Sequence, residues 1–254
     1  MNKNLSLKNN LQNGEIINGC FIEMFSPIAT EIVASSGYDF ILIDLEHGPG
    51  SYTDAIAMMQ AANQFNCPSI IRSCSSDTTD IKRTMDIGPQ GLMVPMVNTK
   101  NEVLDVINAC HYAPKGIRSS AKPIIRATNY GDSADSYEDY LVKDFLLMAQ
   151  IESKEGLDNV EDIAAVHGID MLFIGPLDLS ASLGKMGDFQ STSFKQAWQR
   201  IVSAAKDNNK FLGTIITPAW SNEDLINQGF HLMTSGTDSM LLKTAAQQDA
   251  LRNR

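Results

Sequence analysis

Eight compact apolar runs recur along the 254-residue chain: Cys20–Phe25, Phe40–Ile43, Ser69–Ile71, Gly91–Val97, Phe145–Ile151, Met171–Ile174, Phe211–Ile216 and Phe230–Met233. Most are continuously apolar instead of alternating, the pattern of parallel strands buried on both faces. Between most of them lie stretches with helical spacing, such as Ala55, Ile56, Met58, Met59 and Ala62, or Phe194, Trp198, Ile201 and Val202. Strands alternating with helices in a chain of this length predict a (β/α)8 barrel, the TIM-barrel class of α/β fold. An open doubly wound sheet is the structural competitor. No G-x-G-x-x-G follows the first strand, which counts against its dinucleotide-binding form.

Residues 1–18 read as a lead-in and 19–254 as a single barrel domain. The opening segment lacks the apolar stretch of a secretion signal and the arginines of a transit peptide, so a cytoplasmic enzyme is expected. The chain carries 30 acidic and 20 basic side chains, a formal charge of −10. That balance argues against nucleic-acid and anionic-membrane partners, which need a basic footprint. No run reaches the roughly 18 consecutive apolar residues of a membrane span. Cys20, Cys67, Cys74 and Cys110 form no C-x-x-C pair and are expected as buried free thiols.

The interval between Val97 and Phe145 is longer than one helix needs. Its second part, 112–140, holds Lys115, Arg118, Lys122 and Arg126, a concentration of positive charge in an acidic chain. Loops this long are commonly lids or binding loops, so an electropositive cover for an anionic substrate stands beside a plain solvated excursion. A carboxylated substrate tail would need that cover; an uncharged one would not.

Barrel enzymes carry their chemistry at the C-terminal ends of the strands. Here the second run leads into Asp44-Leu45-Glu46-His47-Gly48-Pro49-Gly50, the third into Arg72, the fifth into Gln150-Ile151-Glu152, and the sixth into Gly175-Pro176-Leu177-Asp178. Unpaired ions on an inward rim are costly, so four charged junctions at one mouth point to a site. Glu152 and Asp178, on neighbouring strands, would repel each other unless a cation lay between them. A hard divalent ion, Mg2+ or Mn2+ with Co2+ as a further candidate, accepts two carboxylates and keeps positions open for substrate oxygens. The alternative is that each carboxylate pairs separately with a base or a helix terminus. Arg72 suits a substrate carboxylate or an enolate oxygen. His47 is the natural acid/base, and Asp86 is a candidate to orient its ring.

Taken in order, Leu42-Ile43-Asp44-Leu45-Glu46-His47-Gly48-Pro49, Ile71-Arg72, Asp86-Ile87-Gly88, Val94-Pro95-Met96-Val97, Gly116-Ile117-Arg118, Gln150-Ile151-Glu152 and Phe173-Ile174-Gly175-Pro176-Leu177-Asp178-Leu179-Ser180 resemble the HpcH/HpaI aldolase family. The resemblance runs from about Gly19 to Ala246. It implies metal-dependent cleavage of a 2-oxo-4-hydroxy acid to pyruvate and an aldehyde, with Glu152 and Asp178 as metal ligands. It further implies Arg72 on the pyruvyl oxygens, His47 oriented by Asp86 as base with a metal-bound water, and Gln150 beside the metal. Backbone amides around Gly175, Leu177 and Asp178 would cradle the pyruvate carboxylate. It also implies a homo-oligomer, a hexamer in which the last helix, around Met240–Ala250, exchanges between subunits. Two departures fall near the aldehyde side: Ser119-Ser120-Ala121-Lys122 where many members have glycines, and Leu177 where a smaller residue is common.

Three readings stand beside this one. A Schiff-base lysine would replace the metal, but none of the expected strands ends in Lys. An oxaloacetate-type decarboxylase would use the same metal and arginine. A non-catalytic 2-oxo-acid binder would be expected to have lost part of the set His47, Arg72, Glu152 and Asp178.

Overall fold

The computed structural model describes residues 6–252. Eight strands, β1 (Ile17–Ile22), β2 (Phe40–Asp44), β3 (Ser69–Arg72), β4 (Gly91–Val94), β5 (Leu146–Ile151), β6 (Met171–Ile174), β7 (Phe211–Ile215) and β8 (Leu232–Thr237), close into a barrel in sequence order. Every neighbouring pair is parallel, with β1 against β8 completing the ring. The expected (β/α)8 architecture is therefore present.

The helices are α1 (Leu7–Gln12), α2 (Pro27–Ser35), α3 (Tyr52–Asn63), α4 (Thr78–Ile87), α5 (Lys100–Cys110), α6 (Tyr137–Lys143), α7 (Lys154–Asp158), α8 (Val160–Ala164), α9 (Pro176–Ser182), α10 (Thr192–Asp207), α11 (Asn222–Gln228) and α12 (Asp238–Arg252). None is long and apolar enough to cross a membrane, among the described residues. Capping boxes at Ser51–Asp54, Thr99–Glu102 and Ser221–Asp224 start α3, α5 and α11. Each pairs a side-chain oxygen with an orphan amide and so fixes where the chain turns from strand to helix.

Side chains alternate along each strand, and here the alternation separates lumen from shell. Phe21, Phe40, Leu42, Ile70, Met93, Leu146, Met148, Met171, Phe173 and Leu232 fill the barrel interior. Ile41, Ile43 and Ile71 pack outward against α2 and α3, and Leu147, Ala149 and Ile151 outward against the helices on the other side. Leu7 and Leu11 of α1 join the interior cluster. The lead-in expected over 1–18 is thus part of the packed barrel where it is described, and the boundary drawn at residue 19 falls inside β1; residues 1–5 lie outside the described residues.

The long segment before β5 differs from expectation. It leaves the C-terminus of α5 and enters the N-terminus of a strand, so it runs along the rim opposite the strands' C-terminal ends. Arg118 is buried there, donating to Asp86 at 2.6 Å from Nη2, to the Tyr137 hydroxyl at 3.1 Å and to the Cys110 carbonyl at 3.4 Å. Arg126 donates to the Ile87 carbonyl at 2.6 Å. Lys122 lies over the Tyr112 ring. These cations tie the loop to α4 and α5 instead of covering this chain's barrel mouth. All four cysteines are free; Cys20, Cys67 and Cys110 are buried as expected, whereas Cys74 is exposed.

Candidate active site

The strand alternation that fills the interior also sets the mouth. In β2 the inward sequence Phe40, Leu42 continues to Asp44; in β3 Ile70 continues to Arg72; in β5 Met148 continues to Gln150 and, just past the strand, Glu152. Hydrocarbon below and charge above is one register read to its end.

Asp44 and Arg72 are partners in the β2–β3 ladder. Arg72 donates from Nε to one Asp44 oxygen at 2.8 Å and from Nη2 to the other at 2.6 Å. Its Nη1 lies 3.1 Å from Glu46 Oε2, and Phe21 stacks beneath the guanidinium. Burial works against the Arg72 charge, but Asp44, Glu46 and Glu152 outweigh it, so the group is held above its ordinary value. Asp44 also accepts the Glu46 amide at 3.0 Å, which turns the chain out of β2. His47 follows, 64 % exposed, with Nε2 3.8 Å from Glu46 Oε2. The turn requires glycine at 48, where a Cβ would lie 2.3 Å from the Phe25 ring and 2.4 Å from the Asp44 carbonyl.

Glu152 is 3 % exposed. One oxygen accepts the Met96 amide at 2.8 Å and the other accepts a hydrogen bond from the Gln150 amide nitrogen. Met96 sits at φ 51°, a left-handed backbone that turns its N–H towards the carboxylate. Burial pushes Glu152 up to about 7, with Glu46 and Asp178 adding to the effect against the Met96 amide and Arg72. Glu46 is also raised, first by burial. Asp178 lies in the first turn of α9, which starts at Gly175 without a side-chain cap.

These residues fit a hard divalent ion. Two carboxylates from β5 and α9 bear on each other, and Gln150 Oε1 is buried without a hydrogen-bond partner. Gly175 leaves the space above them clear, since a Cβ there would lie 2.5 Å from Glu152 Oε2 and 2.9 Å from Gln150 Nε2. No group of three or more His, Cys, Asp or Glu is arranged to hold a metal among the described residues. The donors present, carboxylate and amide oxygens, are of the kind a hard divalent ion takes.

The mouth thus gathers His47, Arg72, Gln150, Glu152, Gly175, Leu177 and Asp178. It does not gather Asp86. That residue ends α4, which runs antiparallel to the strands, so it lies towards the opposite rim and is paired with Arg118. Within one chain Asp86 does not orient His47. Asp44 and Glu46, which the sequence shows only as acids leading up to His47, hold Arg72; their place directly after an inward-facing strand is the signal that marks them. The Val94–Val97 motif contains Met96, but a residue name gives no sign that its backbone N–H donates to Glu152.

A barrel with acid, base and guanidinium at its strand C-termini is an enzyme architecture, and the comparisons specify which. The HpcH/HpaI aldolase/citrate lyase family model matches residues 18–245. The hydroxypyruvate/pyruvate aldolase of Chromohalobacter salexigens is 34% identical, over 94% of this chain and 94% of its own. A 2-keto-3-deoxy-L-rhamnonate aldolase of Escherichia coli is 32% identical, over 95% of this chain and 90% of its own. The crystal structure of an HpcH/HpaI aldolase/citrate lyase family protein from Burkholderia cenocepacia superposes with a TM-score of 0.90 at 30% identity, covering 98% of this chain and 99% of that one. The chain belongs to the HpcH/HpaI aldolase/citrate lyase family. It is an aldolase, a carbon–carbon lyase.

Proposed function

We propose that this aldolase cleaves a 2-oxo-4-hydroxy acid to pyruvate and an aldehyde, with a divalent ion, Mg2+ or Mn2+ and in third place Co2+, held by Glu152 and Asp178. The observation that carries the reading is Glu152 itself: a buried carboxylate facing two further carboxylates and Arg72. Such a group is ill suited to a structural role and well suited to bind a cation. Bound there, the ion would chelate the carboxylate and ketone oxygens of the substrate and draw electrons from its carbonyl.

The chain's own groups do the rest. The first-turn amides of α9, from Leu177 and Asp178 beside Gly175, would hold the pyruvyl carboxylate. Gln150 fixes the rotation of Glu152. Arg72, already oriented by Asp44 and Glu46, would face the ketone oxygen and stabilise the negative charge that develops on it. His47 would remove the 4-hydroxyl proton. As the C3–C4 bond breaks, its electron pair passes into the enolate, and protonation at C3 then yields pyruvate.

The apolar side chains of Ile28 and Ile32 on α2 and of Met240, Leu241, Leu242 and Leu251 on α12 are exposed. Between the two helices lies a groove of about 440 Å³. This supports a homo-oligomer in which a second copy covers these helices; an exchanged α12 in a hexamer belongs to the same proposal.

Pyruvate release from a panel of 2-oxo-4-hydroxy acids tests the function. It is expected to require added Mg2+ or Mn2+ and to fall at least about a hundredfold in Glu152→Gln. His47→Ala is expected to lose aldol cleavage while retaining oxaloacetate decarboxylation, which needs no base at a hydroxyl. Equal survival of both activities in His47→Ala would make decarboxylation the native task, and release surviving both chelator and Glu152→Gln would overturn metal dependence.

A further inference from the structure

The His47 ring is not fixed by a hydrogen bond to the acid beside it. Its side chain is 64 % exposed, and Nε2 lies 3.8 Å from Glu46 Oε2, beyond hydrogen-bond length. The direction of the imidazole therefore depends on the backbone that carries it. That backbone is anchored at both ends. Asp44 accepts the Glu46 and His47 amides at 3.0 and 3.4 Å, and the Ser51–Asp54 capping box starts α3. Between these anchors Gly48, Pro49 and Gly50 make no hydrogen bond to another backbone group, among the described residues.

Packing takes the place of those hydrogen bonds. Phe25, in the β1–α2 turn, is half-buried against the same outer cluster that receives Ile41 and Ile43. A Cβ on Gly48 would lie 2.3 Å from its Cε2, and a Cβ on Gly50 would lie 1.9 Å from its Cδ1. The two glycines thus close on opposite sides of one aromatic ring. Only glycine permits so close an approach, and the contact leaves the turn little room to shift.

Phe25 is itself held in place. Its φ is 49°, a left-handed backbone that a phenylalanine keeps only where its surroundings impose it. Just before it, Asp238 at the start of α12 accepts the Glu23 amide at 3.0 Å and the Met24 amide at 3.2 Å. Just after it, Ser26 caps α2 by accepting the Ala29 amide at 3.3 Å. A strained residue, a fixed ring and a glycine turn are stacked directly beneath the backbone of His47.

We propose that Phe25 is a positioning residue for His47, its ring being the seat that sets where the Gly48–Gly50 turn presents the imidazole. The inference rests on the reading of His47 as base at the 4-hydroxyl and deepens it. Proton transfer from that hydroxyl needs the imidazole within hydrogen-bond reach, so a turn that drifts on its seat costs rate in this step. Decarboxylation of oxaloacetate has no such step.

Pyruvate release is followed, with Mn2+ present, from oxaloacetate and from the acid in the panel above that the wild-type enzyme cleaves best. Phe25→Ala is expected to lower kcat for aldol cleavage at least about tenfold more than kcat for decarboxylation. Added to His47→Ala, it is expected to cost nothing further in aldol cleavage. Phe25→Tyr, which keeps the ring, should hold the wild-type ratio. Gly50→Ala reads the same contact from the other side. It should show the same selective loss, and a smaller one in the Phe25→Ala background, where no ring meets the added methyl. Equal loss of both activities in Phe25→Ala and Gly50→Ala, or losses that multiply in the Phe25→Ala, His47→Ala double variant, overturn the inference and leave the aldolase reading standing. Aldol cleavage at the wild-type rate in His47→Ala overturns the reading on which it rests.

Discussion

Arg72 and Asp44 face each other across the β2–β3 ladder, with two guanidinium nitrogens on two carboxylate oxygens at 2.8 and 2.6 Å. The pairing fixes the plane of the guanidinium and leaves Nη1 for Glu46 and the mouth. Removing one partner of a buried pair leaves the other uncompensated and typically costs about 3–5 kcal/mol. Asp44→Ala is expected to lose stability of that order in urea denaturation. Asp44→Asn, which keeps one acceptor, is expected to lose less stability while lowering kcat/KM about tenfold or more, because Arg72 is no longer held in plane. A fully active Asp44→Asn would remove Asp44 from the positioning of Arg72.

Arg118 supplies a second buried junction, joining Asp86, Tyr137 and the end of α5. Arg118→Met should therefore lower the unfolding midpoint by several degrees, equivalent to about 2–3 kcal/mol, through its stranded partners. It should not change the ratio of activities on charged and uncharged aldehydes. A selective loss on charged aldehydes would return the long loop to the role of a cover.

Much of the site was legible because barrel strands obey two rules at once. Continuous apolar runs mark buried strands, and the first charged residue after a run marks the rim that follows it; Asp44, Arg72, Glu152 and Asp178 are found this way, with His47 three residues beyond Asp44. The first run, expected from Cys20, begins at Ile17 because Asn18 and Gly19 dilute its apolar signal. The last run, expected to end at Met233, continues through Thr234 to Thr237, where Thr, Ser and Gly end the apolar signal although the strand goes on pairing with β1. Asp86 was misplaced for a different reason. The sequence places Asp86 at the closing end of a helix before Gly88, but α4 runs antiparallel to the strands and so carries Asp86 away from the rim that bears His47 in the same chain. The charge of the 112–140 loop misled similarly, because sequence shows that Arg118 exists and not that Asp86 and Tyr137 enclose it.

Glu152 makes the metal-free protein sensitive to pH in a defined direction. Its carboxyl is raised from the ordinary 4.5 to about 7, so the fold prefers the protonated form. The stability this gives is complete below the unfolded value and is lost as pH rises through the folded one. In chelator, stability should fall by roughly 2–3 kcal/mol between pH 4.5 and pH 7 from this group and then level off. Glu152→Gln should flatten that part of the profile; an identical slope in the variant would remove Glu152 as its source.

The apolar exposure of α2 and α12 predicts association. Light scattering should give an assembled mass for the wild-type chain, and the double substitution Leu241→Glu, Leu242→Glu should shift it to a smaller species, since paired charges in an apolar interface are unfavourable. A wild-type chain that is monomeric at micromolar concentration would contradict the proposed covering of this groove.

Calorimetric titration of metal-free protein with Mn2+, in the presence and absence of oxamate, goes most directly to the pairing of Glu152 with Asp178. A single site in the wild-type chain, tightened by oxamate and abolished in both Glu152→Gln and Asp178→Asn, is the result expected if the two carboxylates hold the ion that receives the keto acid. Mn2+ binding of wild-type strength in either variant, or oxamate binding indifferent to the metal, would contradict it.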